Sequence, residues 1–162
     1  LFAAQEKQNL PDEALVSALL VAAGYGVVIA TRASISGAKG GCQAECGSAA
    51  AMAAAAVTFL GGGTNEQTAS ACGFALMNAM GLVCDPVAGL VEVPCVYRNV
   101  MGVANALTAA GLALSGVACP LPADELIDAM RRVGDLLPAS LRETGEGGCA
   151  ACPSALEQFD KI

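Results

Sequence analysis

The chain has 162 residues, 55% hydrophobic but only 4% aromatic, with no Trp, no His and a net charge of −7. That length is one domain's worth of core, and an acidic balance without clustered Lys and Arg excludes a nucleic-acid partner, whose phosphates demand the opposite. Small side chains must do the packing, and Ala and Gly favour close helix backbones where strands would want β-branched and aromatic runs, so the expected fold is all-α, a compact single-domain bundle of about five to six helices.

The first helix runs from Pro11 to about Thr31, with Pro11 at its first turn and Asp12 and Glu13 suited to its N-terminus. Its apolar stretch, Ala14–Ala30, is 17 residues long and close to membrane-spanning length. It follows Pro-Asp-Glu, contains two glycines and a Tyr, and has neither an aromatic belt nor a one-sided basic flank. It therefore reads as a helix apolar on all sides at the centre of a bundle, and no membrane is expected. The opening Leu-Phe-Ala-Ala-Gln-Glu-Lys-Gln lacks the basic region and apolar core of a secretory signal.

A polar, Gly-containing stretch, Thr31–Gly47, precedes an Ala-rich helix, Ser48–Leu60, which Gly61-Gly62-Gly63 stops. Thr64 with Gln67 three residues on is a capping-box pattern and opens a helix to about Met80. A loop rich in Pro and Gly, Gly81–Cys95, leads to a helix from about Tyr97 to Leu114. Pro122–Leu137 is the most amphipathic segment, with Leu126, Ile127, Met130, Val133 and Leu137 on one face and Arg131-Arg132 on a solvated one. From Pro138 onward the chain is Gly-rich, polar and expected to be irregular.

Eight cysteines are many for this length. With no secretory signal and ample apolar content, they read as a cytoplasmic metal site plus buried thiols, not a disulfide framework. Cys72 and Cys119 are most simply small buried hydrophobes. Cys149 and Cys152 form a single C-x-x-C in the tail, a weak metal or redox signal without a second pair. Cys42, Cys84 and Cys95 differ, since each lies by a Gly- or Pro-containing loop at a helix end with a carboxylate near it: Glu45, Asp85 and Glu92. Cys46 shares the face of Cys42 if that segment is helical, and reads as a bystander. Without His, a site must be built from thiolate and oxygen, which selects zinc, copper(I) or iron–sulfur clusters. Four thiols would suit structural zinc or electron transfer, and three would leave a corner open for a substrate.

Three stretches carry a resemblance: Gly40–Ala56 (GGCQAECGSAAAMAAAA), Gly81–Asn99 (GLVCDPVAGLVEVPCVYRN) and Glu125–Gly148. In order and spacing they resemble the catalytic domain, or α chain, of iron–sulfur-dependent L-serine dehydratases, and the likeness extends from about Pro11 to Pro153. The resemblance implies an all-helical catalytic domain and a [4Fe–4S] cluster held by Cys42, Cys84 and Cys95. It also implies the removal of water from L-serine to give pyruvate and ammonia without pyridoxal phosphate, so Lys39 is not a Schiff-base residue. Glu45 and Asp85 are the candidates for the base or for hydrogen bonds around the cluster. Arg98, Asn99 and Ser36 are candidates for substrate binding; Arg98 reads equally as an ion-pair partner of Glu92 or Asp85, Asn99 as a helix cap, and Ser36 as a turn residue.

Family members carry more chain upstream and a β domain or β subunit, so the sequence resembles the C-terminal portion of a catalytic unit. A β subunit or N-terminal part and a homo-oligomeric assembly are the expected partners. The alternatives are a non-catalytic zinc or electron-transfer iron–sulfur module, with Cys46 or Cys149 as fourth ligand, and a helical interaction domain with inert thiols.

Overall fold

A computed structural model describes residues 1–159. Its elements are α1 (Phe2–Gln8), α2 (Asp12–Arg32), α3 (Gly37–Gly40), a π-helical turn (Gln43–Gly47) running into α4 (Ser48–Leu60), α5 (Asn65–Ala79), α6 (Cys95–Leu114), α7 (Ala123–Leu136) and α8 (Pro153–Phe159). Single 3₁₀ turns occupy Val87–Gly89, Ala139–Leu141 and Gly148–Ala151. There are no strands among the described residues, and the all-α expectation holds. Among the described residues eight helices replace the expected five or six, because α1, α3 and α8 are short pieces that the sequence does not announce.

The centre of the bundle is α4, packed against α2, α5 and α6. Ala50, Ala51, Ala54, Ala55 and Ala56 are all buried there, and side chains this small let three neighbours approach closely. Ile29, Leu76, Ile127 and Met130 supply the bulk that alanine cannot. The sequence points to α2 as the central helix, and the structure corrects this. Val16, Leu19, Leu20 and Val27 of α2 are exposed, and only 22% of its most apolar window is buried. It is the one described helix long and apolar enough to cross a membrane, with a mean hydropathy of 2.1.

Polar clips fix how the helices sit. The capping box at the start of α5 forms as expected, Gln67 N–H donating to Thr64 Oγ1 and Thr64 N–H to Gln67 Oε1. Gln67 Nε2 also donates to the Ala113 carbonyl near the end of α6 (2.9 Å). Asn78 Nδ2 donates to Asn105 Oδ1 (2.7 Å) and Asn105 Nδ2 to the Ala75 carbonyl (2.9 Å), joining α5 to α6. Arg32 at the end of α2 reaches Asp124 and Asp128 on α7. On α7 the expected apolar face is met: Leu126, Ile127 and Met130 are buried, Val133 and Leu137 half-buried, and Arg131 and Arg132 exposed.

The tail, expected to be irregular from Pro138, holds two 3₁₀ turns and ends in helix α8, and it is not loose. Cys84 N–H donates to the Leu141 carbonyl (2.9 Å) and Glu143 N–H to the Cys84 carbonyl (2.8 Å), an isolated parallel bridge. The segment after α7 thus returns across the Gly81–Cys95 loop. That docking depends on backbone groups, which is why composition alone misses it.

Candidate metal centre

Three segments converge at the N-terminal end of α4. Cys42 sits between Gly41 and the π-helical turn, Cys84 in the loop after α5, and Cys95 at the first residue of α6, beyond a cis Val93–Pro94 peptide. Gly41 has φ +74°, and a Cβ there would stand 2.7 Å from the Leu82 carbonyl oxygen. Both facts demand glycine, and both bring the Cys42 backbone against the loop that carries Cys84. Gln43 completes the clamp. It is buried; its N–H donates to the Leu82 carbonyl (2.9 Å), its Nε2 to the Met130 carbonyl (3.0 Å), and its Oε1 accepts from Gly81 N–H (2.9 Å). One side chain therefore ties Cys42 to the end of α5 and to α7.

The result is a convergent donor set. The Sγ atoms of Cys42 and Cys84 and a carboxylate oxygen of Glu45 all lie within 4.8 Å of one another, with both cysteines buried and Glu45 exposed. Cys46, on the next turn of the π-helical segment, packs with Cys42 and Cys84. Cys95, buried at the start of α6, is not in that 4.8 Å group, but the Cys42 thiol is among the neighbours that raise its pKa. Gly37 of α3 is the floor: a Cβ there would meet Cys84 Sγ at 3.0 Å and Glu45 Oε2 at 2.9 Å.

Electrostatics say what this set fits. Burial, and then the neighbouring Cys42 thiol, push Cys46 up to about 12 and push Cys84 and Cys95 upward as well. Crowded thiols taken by themselves resist ionisation, because each thiolate would be desolvated and would repel the next. A positive centre among them reverses both penalties, and sulfur-rich donors select soft metals and iron–sulfur clusters. The donor set fits a thiolate-bound metal group.

Asp85 and Arg98 form the wall behind the thiols. Asp85 is buried; its Oδ1 stands 2.6 Å from Arg98 Nη1, an ion pair without good hydrogen-bond alignment, and its Oδ2 accepts from Cys149 N–H (2.6 Å). Burial alone would raise its pKa, but the Cys149 amide and Arg98 outweigh it and hold the carboxyl below its ordinary value. Arg98 also donates to the Val83 carbonyl (2.8 Å). Of its two sequence readings toward carboxylates, the ion pair with Asp85 is the one present.

Asn99 lies in the first turns of α6, exposed, with Oδ1 3.9 Å from Cys46 Sγ. It caps nothing, because α6 starts at Cys95 and not near Tyr97. Ser36 precedes α3, its N–H donating to Ser34 Oγ (3.0 Å). Cys149 and Cys152 are exposed in the returning tail, Cys72 is buried in the α5 core, and all eight cysteines are free thiols.

Sequence reasoning read one participant as a bystander and missed another. Cys46 belongs to the thiol group; the signal was its four-residue spacing from Cys42, which a π-helical turn brings onto the same side. Gln43 gave no signal, since its partners lie on elements distant in sequence. A cavity of about 380 Å³, lined by Val21, Tyr25, Val28, Phe59 and Thr68 among others, sits at the opposite end of α4 and has no part in this centre.

The family described as "Serine dehydratase alpha chain" matches residues 1–150. The chain belongs to that family. It is 56% identical over its whole length to the probable L-serine dehydratase alpha chain of Bacillus subtilis, covering 54% of that protein. It is 51% identical over 150 residues to the L-serine dehydratase alpha chain of Peptoniphilus asaccharolyticus, covering 93% of this chain and 51% of that one. To the L-serine dehydratase of Mycobacterium bovis it is 45% identical over 141 residues, 86% of this chain and 31% of that one. As a serine dehydratase alpha chain member it spans about half the length of the first two relatives.

Proposed function

We propose that the chain is the thiol-bearing part of an L-serine dehydratase, a lyase that converts L-serine to pyruvate and ammonia, with Cys42, Cys84 and Cys95 as ligands of a [4Fe–4S] cluster. The observation that supports this most is the convergence of Cys42, Cys84 and the Glu45 carboxylate within 4.8 Å, in a family whose relatives are named for that reaction. When bound, a cluster with three thiolate ligands supplies Lewis acidity for departure of the β-hydroxyl.

The chain's own residues do the rest. Glu45, the exposed carboxylate beside the two thiols, is assigned the removal of the α-proton. Loss of that proton and of hydroxide leaves aminoacrylate, which tautomerises to the imine and hydrolyses to pyruvate and ammonia. Asp85 is held in its pair with Arg98, so its role is to fix the loop bearing Cys84 against α6. Asn99 and Ser36 are assigned to the polar groups of serine, and pyridoxal phosphate has no role. The active unit includes the remainder of the α chain and a β subunit, and assembles as an oligomer in the cytoplasm, where eight free thiols persist.

Anaerobic iron–sulfur reconstitution tests the ligand set. Cys42→Ala, Cys84→Ala and Cys95→Ala each abolish the cluster's visible absorption and lower bound iron; wild-type iron in all three overturns the assignment. A second reading rests on Cys46, whose place beside Cys42 would allow a closed four-thiol zinc or electron-transfer centre. Loss of metal on Cys46→Ala, with stoichiometric zinc and no iron, decides for that reading.

A further inference from the structure

Solvent-facing helices of soluble proteins carry charge on their outer side, and α7 does, with Arg131, Arg132 and Asp135 exposed. The outer side of α6 carries none. In its 20 residues the one charged side chain is Arg98, and that is turned in against Asp85. Its outward positions are instead Val96 (57% exposed), Val100 (68%), Val103 (62%) and Leu107 (53%). Their spacing of four, three and four is the seam of a helix that expects another helix against it. Leu90 and Val91, in the loop between Cys84 and Cys95, are exposed and apolar as well. A cleft of about 160 Å³ between α4 and α6, lined by Cys46, Ala49, Ala53, Asn99, Gly102 and Val103, opens beside it, so this face borders the thiol centre.

Two quantities indicate what covers it. A monomer of 16.0 kDa is expected to expose about 7400 Å², whereas this chain exposes 8324 Å². The surplus is close to one partner's share of a standard interface, about 800 Å². The relatives of the same family are also about twice as long as the stretch matched here. We propose that the uncharged face of α6 is the seat of an apolar helical segment from the other half of the α-chain unit, which closes the thiol centre on the side of Cys46 and Asn99. The occupant is read as that segment and not as a second copy of this chain.

Oxidative footprinting of exposed side chains tests this, comparing the 162-residue chain with a full-length chimera in which it replaces the matched stretch of the Bacillus subtilis α chain. Val103 and Leu107 are expected to be oxidised at least about five-fold more slowly in the chimera, in line with burial in an interface core. Leu136 on α7, 82% exposed, serves as the control and keeps its rate. A charge provides the second readout: Val100→Asp leaves the Tm of the 162-residue chain within about 2 °C and lowers that of the chimera by more than about 5 °C. Equal oxidation in both proteins overturns the proposal, and so does protection of Leu107 in the short chain that grows with concentration alongside a dimer mass. Neither readout needs metal or turnover, so the result is independent of the proposed reaction.

Discussion

Arg98 Nη1 stands 2.6 Å from Asp85 Oδ1, and through that pair the helix that begins at Cys95 is bound to the residue after Cys84. Two cysteine-bearing segments are thus held by one buried contact, with the Val83 carbonyl and the Cys149 amide as its outer partners. Arg98→Ala leaves the Asp85 carboxylate buried without its cation and is expected to destabilise the chain by about 3 kcal/mol in urea unfolding. The double variant Arg98→Ala/Asp85→Asn removes the stranded charge and recovers part of the loss. If the single and double variants are equally unstable, the contact is not an ion pair in solution.

The thiols should differ sharply in reactivity. Alkylation requires thiolate, and Cys46, pushed up to about 12, is ionised to about one part in ten thousand at pH 8. Cys149 and Cys152 are exposed, whereas Cys42, Cys46, Cys84 and Cys95 are buried. Mass spectrometry after brief iodoacetamide treatment of metal-free protein is expected to find the tail pair labelled first and the five buried thiols, Cys72 included, at least about ten-fold slower. Because raised thiol pKa values mean protons must leave when metal enters, metal binding releases acid and tightens as pH rises from about 6 to 9. A pH-stat titration checks the sign, and uptake without proton release contradicts it.

Legibility in the sequence followed how local each feature is. The helices α4, α5 and α7 are readable because alanine density, the Thr64–Gln67 capping box and the Leu126–Met130 periodicity act within a few residues. The three ligand candidates stand out because each cysteine is framed by Gly or Pro at a helix end. What stayed hidden depends on distant partners: Gln43 gains meaning only when Gly81 and Met130 arrive beside it, and Asp85 only when the Cys149 amide folds back. The centre of the bundle was misplaced for a related reason. Apolar content marks α2 as the most hydrophobic helix, but the centre goes to α4, whose side chains are small enough to admit neighbours on three sides.

The Arg32 pairs give a pH dependence away from the thiols. Arg32 holds Asp128 below its ordinary carboxyl value, with contacts of 2.7 Å to Asp128 and 2.8 Å to Asp124. A carboxyl depressed in the folded state adds stability above its unfolded pKa and loses it as pH falls through the folded value. The link between α2 and α7 therefore contributes at neutral pH and fades below about pH 4. Asp128→Asn is expected to lower the Tm by about 1–3 °C at pH 7 in low salt, since these side chains are partly solvated. The difference from wild type should shrink at pH 3 and in high salt, and a difference unchanged by both would mean the carboxylate is not what matters.

Gly37 separates support of the centre from support of the fold. Its backbone lies in helix α3 and is open to any residue, so alanine there gains helix propensity of up to about 1 kcal/mol. The added Cβ, however, would stand 3.0 Å from Cys84 Sγ and 2.9 Å from Glu45 Oε2. Glu45 is exposed and can swing aside. Cys84 is pinned on both sides of its peptide by Leu141 and Glu143, so its sulfur must turn away from Cys42 or the α3 backbone must shift. Gly37→Ala is therefore expected to leave the Tm within about 3 °C while reducing iron retained after anaerobic reconstitution at least about ten-fold, the scale on which displaced supporting contacts weaken metal sites. Equal iron in variant and wild type would place the Cys84 sulfur away from the metal, and a large fall in Tm would make Gly37 a packing residue alone.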